Sequence, residues 1–378
     1  MKLLNIITFL SISTLFIFPS KYAGIPPEIA EAKQETAVAE PHAELNTIYL
    51  PIIKIEELRV TMTGLYTSKF FNDEGVIQSL VAADQFAGKK HSIGALFWAM
   101  EDPPSYNLLV QLNTLWNYGY TPFINLVSNE PCKPNDVNNR NVMQKFADGS
   151  KDAAIRQTAQ AYQSFLNNGD NRKAFIGLFP EMNGNWTCYY APPIVFQTAY
   201  NRIRQIFIQE GVALSDVWWV FVPNGYSNPG SEFENYYPGD QNVDIVAFSA
   251  YNFGYCPNAA WKIWTEPDTL FDSLISRMRI MAPTKPIIIA QTATTAYYSN
   301  GINHSLKNKW LVDAYTLLAS RYGVIGVLYF DIRDGSCDLP VYYGALSNYY
   351  GYGQGIANIQ YGYISPEELS QKNLVVEP

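Results

Sequence analysis

From about Val60 onward the chain alternates between short apolar runs and longer segments of helical period. The short runs are rich in β-branched and aromatic residues, which predicts strands. Apolar residues three and four positions apart in the longer segments predict helices that bury one face. This alternation is typical of βα units around a parallel sheet. We predict eight strands, over residues 60–66, 92–98, 122–126, 173–179, 217–222, 243–250, 286–290 and 324–330.

Eight strands with covering helices predict a closed (β/α)8 barrel, the TIM-barrel fold. In such barrels the chemistry lies on the loops that follow the strands. We therefore expect one catalytic-type domain over residues 49–340, with its functional side chains just after strand ends. The Gly- and Tyr-rich tail over residues 341–378 is expected to pack on the barrel without a function of its own.

The N-terminal residues carry a pattern of their own. Lys2 precedes an apolar run over residues 3–19, which fits the core of a signal peptide and is short for a membrane span. We interpret residues 1–23 as a signal peptide, with an uncleaved anchor as the alternative. Residues 24–48 lack periodicity and predict a disordered linker. The sequence thus predicts a secreted or extracytoplasmic protein with no other membrane contact.

Composition narrows the classes of function. Of the 378 residues, 48% are hydrophobic and 16% are charged, which is enough apolar material for one large core. The net charge of −8 argues against a nucleic-acid partner, since such partners require clustered Lys and Arg. Three histidines leave little material for a zinc site or a Ser/His/Asp triad. We expect a monomer with no metal and no cofactor.

The four cysteines each follow a predicted strand and would share one rim of the barrel. An exported chain with four cysteines permits two disulfides. Loop proximity favours Cys132 with Cys188 and Cys256 with Cys337. The other pairings, and four unpaired thiols, remain alternatives.

One segment brings together groups suited to sugar chemistry. Cleavage of a glycosidic bond needs one carboxyl group to protonate the leaving oxygen and a second to attack or to activate water. Glu181 ends the fourth predicted strand, and Asn183, Gly184 and Trp186 follow it closely. An acid, a hydrogen-bonding amide and a flat ring that could contact a sugar therefore lie in one short segment.

The run Glu181-Met182-Asn183-Gly184 with the nearby Trp186 resembles the acid/base segment of glycoside hydrolase family 26, a family of β-mannanases and related endo-glycanases. The resemblance extends from about residue 61 to residue 331, through segments 146–149, 218–224, 236–240, 243–244, 251–252 and 307–311. It implies a β-linked polysaccharide such as mannan as the partner, and Glu181 as the general acid/base.

The chain departs from the family where the nucleophile is expected. The family has a Glu at the end of the seventh strand, and this chain has Gln291. An amide cannot attack a sugar as a carboxylate does, and it removes a charge that would raise the pKa of Glu181. Pro180 and Gly177 also stand where the family usually has His and Arg. By its strand position Tyr251 is predicted to bond Gln291 or a sugar hydroxyl.

Other carboxylates could replace the missing nucleophile. Asp331 and Asp334 follow the eighth strand and are better placed than Asp240 and Asp244. An inverting pair tolerates a wider separation than a retaining pair, so either could act with Glu181. The alternative is structural, because Asp334 stands before a Gly in a turn-forming pair.

Rings and amides just after strand ends are candidates for sugar contact, with ordinary packing as the alternative. These candidates are Trp98, Asn183, Trp186, Tyr189, Asn224, Tyr251, Trp261 and Trp264. Two functions follow: a mannanase-like glycoside hydrolase that uses Glu181, or a carbohydrate-binding protein without catalysis. A structural or adhesion role for the barrel has no positive support in the sequence.

Overall fold

A computed structural model describes residues 60–67, 73–102, 107–131, 141–257, 259–299, 301–335, 337–342 and 348–376. The signal peptide and linker predicted over residues 1–48 lie outside these residues. Within the described ranges, no helix combines the length and the apolar character that a membrane crossing requires.

Eight parallel strands close into a barrel, which confirms the predicted fold. Every predicted strand overlaps an observed one. The barrel strands are β1 Met62–Thr67, β2 Ile93–Ala99, β3 Thr121–Val127, β4 Ala174–Leu178, β5 Val217–Phe221, β6 Ile245–Asn252, β7 Ile287–Thr294 and β10 Val324–Asp331. They are ordered β1-β10-β7-β6-β5-β4-β3-β2. Two short strands, β8 Tyr297–Tyr298 and β9 Gly301–Ile302, form a separate antiparallel pair.

Most of the helices cover the outside of the barrel between successive strands, and the last two follow the final strand. They are α1 Asp73–Ala87, α2 Leu108–Asn117, α3 Val142–Asp148, α4 Asp152–Leu166, α5 Pro193–Gln209, α6 Phe233–Tyr236, α7 Pro267–Met281, α8 His304–Ala319, α9 Gly351–Ile356 and α10 Pro366–Ser370. The helical spacing of apolar residues explains the packing of α4, which buries Ile155, Ala159 and Tyr162.

The strands divide the core into two layers because successive side chains point to opposite faces. The barrel interior is filled by side chains such as Phe123, Phe175, Trp218 and Leu328. The layer between the strands and the helices holds the alternate positions, including Trp219. Functional side chains of this fold lie at the carboxyl end of the strands, and we call this end of the barrel the mouth.

The C-terminal tail closes the opposite end of the barrel. Thr61 and Tyr361 form a parallel bridge, in which Thr61 N donates to the Gln360 carbonyl at 2.7 Å. Ile364 and Leu369 then join the interior cluster, and Leu369 is fully buried. The described part of the tail is therefore part of the barrel core.

Candidate functional site at the barrel mouth

A backbone kink directs Glu181 into the mouth. Phe179 and Glu181 have φ values of 49° and 62°, in the left-handed region that side chains other than Gly rarely adopt. Backbone hydrogen bonds hold the kink, from Phe179 N to the Leu126 carbonyl and from Glu181 N to the Val222 carbonyl, each at 2.8 Å. Strained conformations of this kind persist where the surrounding structure enforces them, and they cluster at functional sites.

Trp186 folds back over Gly184 to reach Glu181. The indole Nε1 donates a hydrogen bond to Glu181 Oε2 at 2.8 Å. A Cβ at position 184 would lie 2.3 Å from two carbons of the indole ring, so only Gly permits this approach. The Glu-Met-Asn-Gly run therefore places its Gly where the indole has to pass.

Burial raises the pKa of the Glu181 carboxyl above its ordinary value. Trp186, Ser249 and Asn224 oppose the rise because their polar groups stabilise the carboxylate, whereas the charge of Asp334 adds to it. Burial and the charge of Asp334 thus raise the pKa of Glu181, whereas the neutral amide at position 291 does not.

Gln291 turns toward the mouth through an irregularity in β7. Ile288 and Ala290 face the barrel interior, and Ile289 faces the helices. Strict alternation would send Gln291 outward with Ile289. The pairing with β6 shifts at this point, from Phe248 opposite Ile289 to Ser249 opposite Gln291. The extra residue re-aims the Gln291 side chain, as β-bulges do near functional sites.

Tyr251 on β6 holds the Gln291 amide. Its hydroxyl donates a hydrogen bond to Gln291 Oε1 at 2.8 Å. Gln291 is 4% exposed, and its Nε2 has no hydrogen-bond partner among the described residues. Burial raises the pKa of Tyr251, and the charge of Glu181 raises it further. Glu181 and Gln291 therefore lie at the same mouth, each near Tyr251.

The two alternative carboxylates have different surroundings. Asp331 is buried, and its Oδ1 accepts hydrogen bonds from the backbone N–H of Val341 at 2.6 Å and Tyr342 at 3.2 Å. Burial raises its pKa to about 7, although the nearby Lys307 opposes the rise. Asp334 is half-buried, and its charge acts on both Glu181 and Tyr251. Asp331 anchors a loop, and Asp334 is the carboxylate near Glu181.

The amides of Asn183 and Asn224 organise the adjoining loop. Asn183 is buried; its Oδ1 accepts from Asn224 N at 2.8 Å, and its Nδ2 donates to the Asn224 carbonyl at 3.0 Å. Asn224 Oδ1 in turn accepts from Tyr226 N at 2.8 Å. Asn183 thus bonds the protein backbone, and the half-buried Asn224 stands next to Glu181.

The structure brings some of the predicted rings together and separates others. Trp186, Tyr189 and Tyr251 lie near Glu181, and the Tyr189 hydroxyl donates to the Pro180 carbonyl at 2.7 Å. Trp264 is half-buried and packs against Tyr298, and Trp261 is exposed.

Trp98 does not reach the mouth. It is 6% exposed and lies in the layer between strands and helices, while its neighbour Phe97 packs toward the interior, 5.3 Å from the Tyr66 ring. The sequence places Trp98 at a strand end, but the direction of its side chain depends on which alternate positions face inward.

Several groups near Glu181 are not predicted from the sequence. Ser249 lies beside Glu181, and Tyr66 is close enough for the charge of Glu181 to raise its pKa further. Asn125 Nδ2 donates to the Tyr66 hydroxyl at 2.7 Å. Tyr226, which follows β5 closely, satisfies the rule used for the other rings and could have been found by it. Ser249, Tyr66 and Asn125 lie inside strands, and no sequence motif identifies them.

A disulfide joins two loops at this rim. Cys256 and Cys337 are bonded, with Cα atoms 5.2 Å apart, which is the pairing that loop proximity favours. Cys337 N also donates to the Asp334 carbonyl at 2.8 Å. Cys188 is disulfide-bonded as well, and Cys132, its predicted partner, lies outside the described residues. The disulfide therefore ties the loop of Asp334 to the loop that follows β6.

The described residues contain no cluster of three or more His, Cys, Asp or Glu side chains arranged to hold a metal ion. The chemistry that the arrangement can perform is that of a buried carboxyl group with a raised pKa beside polar amides, hydroxyls and flat rings.

Comparison of the sequence with known proteins gives a partial match. No family model matches the chain. It is 27% identical over 216 residues to Endoglucanase H of Acetivibrio thermocellus, which corresponds to 54% of this chain and 21% of that protein. The chain thus spans about a fifth of the length of this relative.

Comparison of the structure gives β-mannanases. A Cellulomonas fimi endo-β-1,4-mannanase double mutant matches with a TM-score of 0.61 and 12% identity, over 83% of this chain and 74% of the other. The family 26 β-mannanase BoMan26A of Bacteroides ovatus has a TM-score of 0.54 and 14% identity, over 84% and 93%.

A β-mannanase from a symbiotic protist of the termite Reticulitermes speratus, solved with a gluco-manno-oligosaccharide, has a TM-score of 0.52 and 12% identity, over 82% and 90%. At these identities the likeness concerns the fold. The chain therefore has the (β/α)8 fold found in family 26 β-mannanases.

Proposed function

We propose that this chain is a glycoside hydrolase family 26-like protein that acts on a β-linked polysaccharide such as mannan at the barrel mouth, with Glu181 as the general acid. The observation that carries the proposal is the placement of Glu181, which a strained strand end directs into the mouth beside Trp186. The shared fold supports the choice of polysaccharide, since a neighbour was solved with a gluco-manno-oligosaccharide.

A general acid has to hold a proton before it can give it to the leaving oxygen. Burial favours the protonated form of Glu181 by raising its pKa. The indole of Trp186 fixes one carboxyl oxygen at 2.8 Å and provides a flat surface for a sugar ring. Tyr251, Asn224 and Tyr189 complete the proposed sugar contacts, and Asn183 positions the loop of Asn224.

Hydrolysis in this chain would proceed with inversion, because Gln291 cannot form a covalent glycosyl intermediate. We assign to Asp334 the role of the general base that activates water, because its charge acts on Glu181. Asp334 takes a proton from water, the water oxygen bonds the anomeric carbon, and the glycosidic bond breaks as Glu181 protonates the departing oxygen. Asp331 keeps its loop-anchoring role.

The second candidate function is carbohydrate binding without cleavage. The Gln291 amide supports it directly, because Tyr251 fixes its oxygen and an amide cannot attack the anomeric carbon of a sugar. In this case the cleft recognises the polysaccharide, and Glu181 serves as a hydrogen-bonding group.

An assay of reducing ends and a binding measurement on mannan, mixed-linkage glucan and xylan distinguish these functions. Hydrolysis by the purified chain that disappears in both Glu181→Gln and Asp334→Asn supports the enzyme. Tight binding without hydrolysis supports the second candidate and rejects the first. A chain that binds none of the three polysaccharides rejects both.

We also propose a secreted or extracytoplasmic location. The apolar run over residues 3–19 supports it, and so does the Cys256–Cys337 disulfide, because disulfides persist in oxidising compartments. Immunodetection of the chain in the culture medium or cell envelope, with a cytoplasmic marker as the control, tests this location.

A further inference from the structure

A row of aromatic rings leads away from Glu181 across the rim. The Trp186 ring lies 6.5 Å from the Tyr226 ring at an interplanar angle of 30°. The Tyr226 ring lies 6.5 Å from the Trp261 ring at an angle of 54°. The row therefore starts at the residue that hydrogen-bonds Glu181 and passes over the loops that follow β5 and β6.

The rings of Tyr226 and Trp261 contact each other, yet both are largely exposed to solvent. Tyr226 is 52% exposed and Trp261 is 65% exposed. Single exposed apolar residues are common on protein surfaces, but adjoining exposed rings next to a cleft mark a binding surface. Here the rings continue the surface of Trp186.

Local contacts hold both rings in place. Tyr226 N donates to Asn224 Oδ1 at 2.8 Å, and the same loop is bonded to the buried Asn183. The loop of Trp261 is closed by a bridge between Gly254 and Ile263, and Lys262 Nζ donates to the Pro257 carbonyl at 2.9 Å. A surface held in this way loses little conformational freedom when a ligand binds.

We infer that Tyr226 and Trp261 form an outer binding surface that makes the cleft select long, uncharged, β-linked polysaccharide chains over short oligosaccharides. The inference rests on the proposed function, because it extends the same cleft. Flat rings pack against the apolar faces of pyranose units. A short oligosaccharide that fills the sites around Glu181 does not reach the outer rings, whereas a longer chain covers them.

Calorimetric titration of the full chain with β-1,4-linked mannotriose and mannohexaose tests this inference, with the corresponding glucose and xylose oligomers in parallel. The variants are Tyr226→Ala, Trp261→Ala and the double substitution. Tyr118→Ala is the matched control, since Tyr118 is 54% exposed and precedes β3, at the end of the barrel away from the mouth.

The double variant should bind the hexasaccharide about tenfold more weakly or worse, as expected for two lost ring contacts. It should bind the trisaccharide as the unmodified chain does, and Tyr118→Ala should leave both affinities unchanged. Unchanged hexasaccharide binding by the double variant, or equal losses for both lengths, overturns the outer surface and leaves the proposed function standing. An unmodified chain that binds none of the oligomers overturns the proposed function and this inference together.

Discussion

The Tyr251 hydroxyl donates a hydrogen bond of 2.8 Å to Oε1 of Gln291 and so joins β6 to β7 at the mouth of the barrel. The bond fixes the orientation of the amide, because a carbonyl oxygen only accepts and the Nε2 group only donates. A carboxylate at position 291 would accept the same hydrogen bond. The surroundings of position 291 thus suit either side chain.

Replacing Gln291 with Glu should therefore create a retaining glycosidase. A carboxylate held by Tyr251 would supply the missing nucleophile, and its charge would raise the pKa of Glu181 further. We expect hydrolysis of mannan to increase on the order of 10⁴-fold, the scale on which nucleophiles matter in other enzymes. Reducing-end assays measure the rate, and NMR of the first product identifies the retained anomer. A variant no faster than Gln291→Ala contradicts this prediction.

Replacing Gly184 with Ala should separate Trp186 from Glu181. The new Cβ would lie 2.3 Å from the indole, so the ring has to move and its hydrogen bond to the carboxylate is lost. Because that bond favours the ionised form, the pKa of Glu181 should rise, and Trp186→Phe should shift it in the same direction. NMR titration of carbon-labelled Glu side chains measures the change. Gly169→Ala, remote from the mouth, serves as the control, and an unmoved Glu181 titration in Gly184→Ala opposes the prediction.

Replacing Asp331 with Asn should change how stability depends on pH. The folded chain holds a proton on Asp331 up to about pH 7, whereas the ordinary pKa is 3.8. Between these values folding takes up a proton, so this carboxyl lowers the free energy of unfolding as the pH rises from about 4 to about 7. Asn keeps an oxygen that accepts hydrogen bonds from Val341 and Tyr342, and it does not titrate. The free energy of unfolding of the variant should therefore fall less steeply as the pH rises.

Urea unfolding at intervals across that pH range measures the effect of Asp331→Asn. The exposed Asp170→Asn is the control and should follow the unmodified chain. Parallel curves for Asp331→Asn and the unmodified chain would show that Asp331 does not carry the buried proton.

Replacing Leu369 with Ala should destabilise the whole barrel by about 2–5 kcal/mol, because its buried side chain belongs to the interior core. The nearby Val375 is 64% exposed, and Val375→Ala should change the free energy of unfolding by less than about 0.5 kcal/mol. Denaturant unfolding compares the two variants. Equal, small effects would mean that the tail does not contribute to the interior core.

Much of the architecture could be predicted from local pattern. Strands of a parallel sheet are buried on both faces, so runs such as residues 286–290 read as continuous apolar segments and could be counted. Helices on the barrel surface bury one face, so their spacing was equally visible. Glu181 was found because its acid, amide, glycine and ring are neighbours in the chain.

Other features depend on contacts between residues far apart in the chain. The direction of Trp98 follows from which alternate positions face the barrel axis. The orientation of Gln291 follows from an irregularity in the pairing of β6 with β7. The role of Asp331 follows from a loop ten residues later, and the outer ring row joins three separate loops.

The sequence by itself determined the eight βα units, the strand end that carries Glu181 and the amide at position 291, because each is written in spacing or in residue identity. The tertiary structure alone decided which side chains meet at the mouth, which carboxylate acts on Glu181 and how the tail closes the barrel. The physical reason is that closure, twist and register bring distant residues together, and no local pattern encodes those distances.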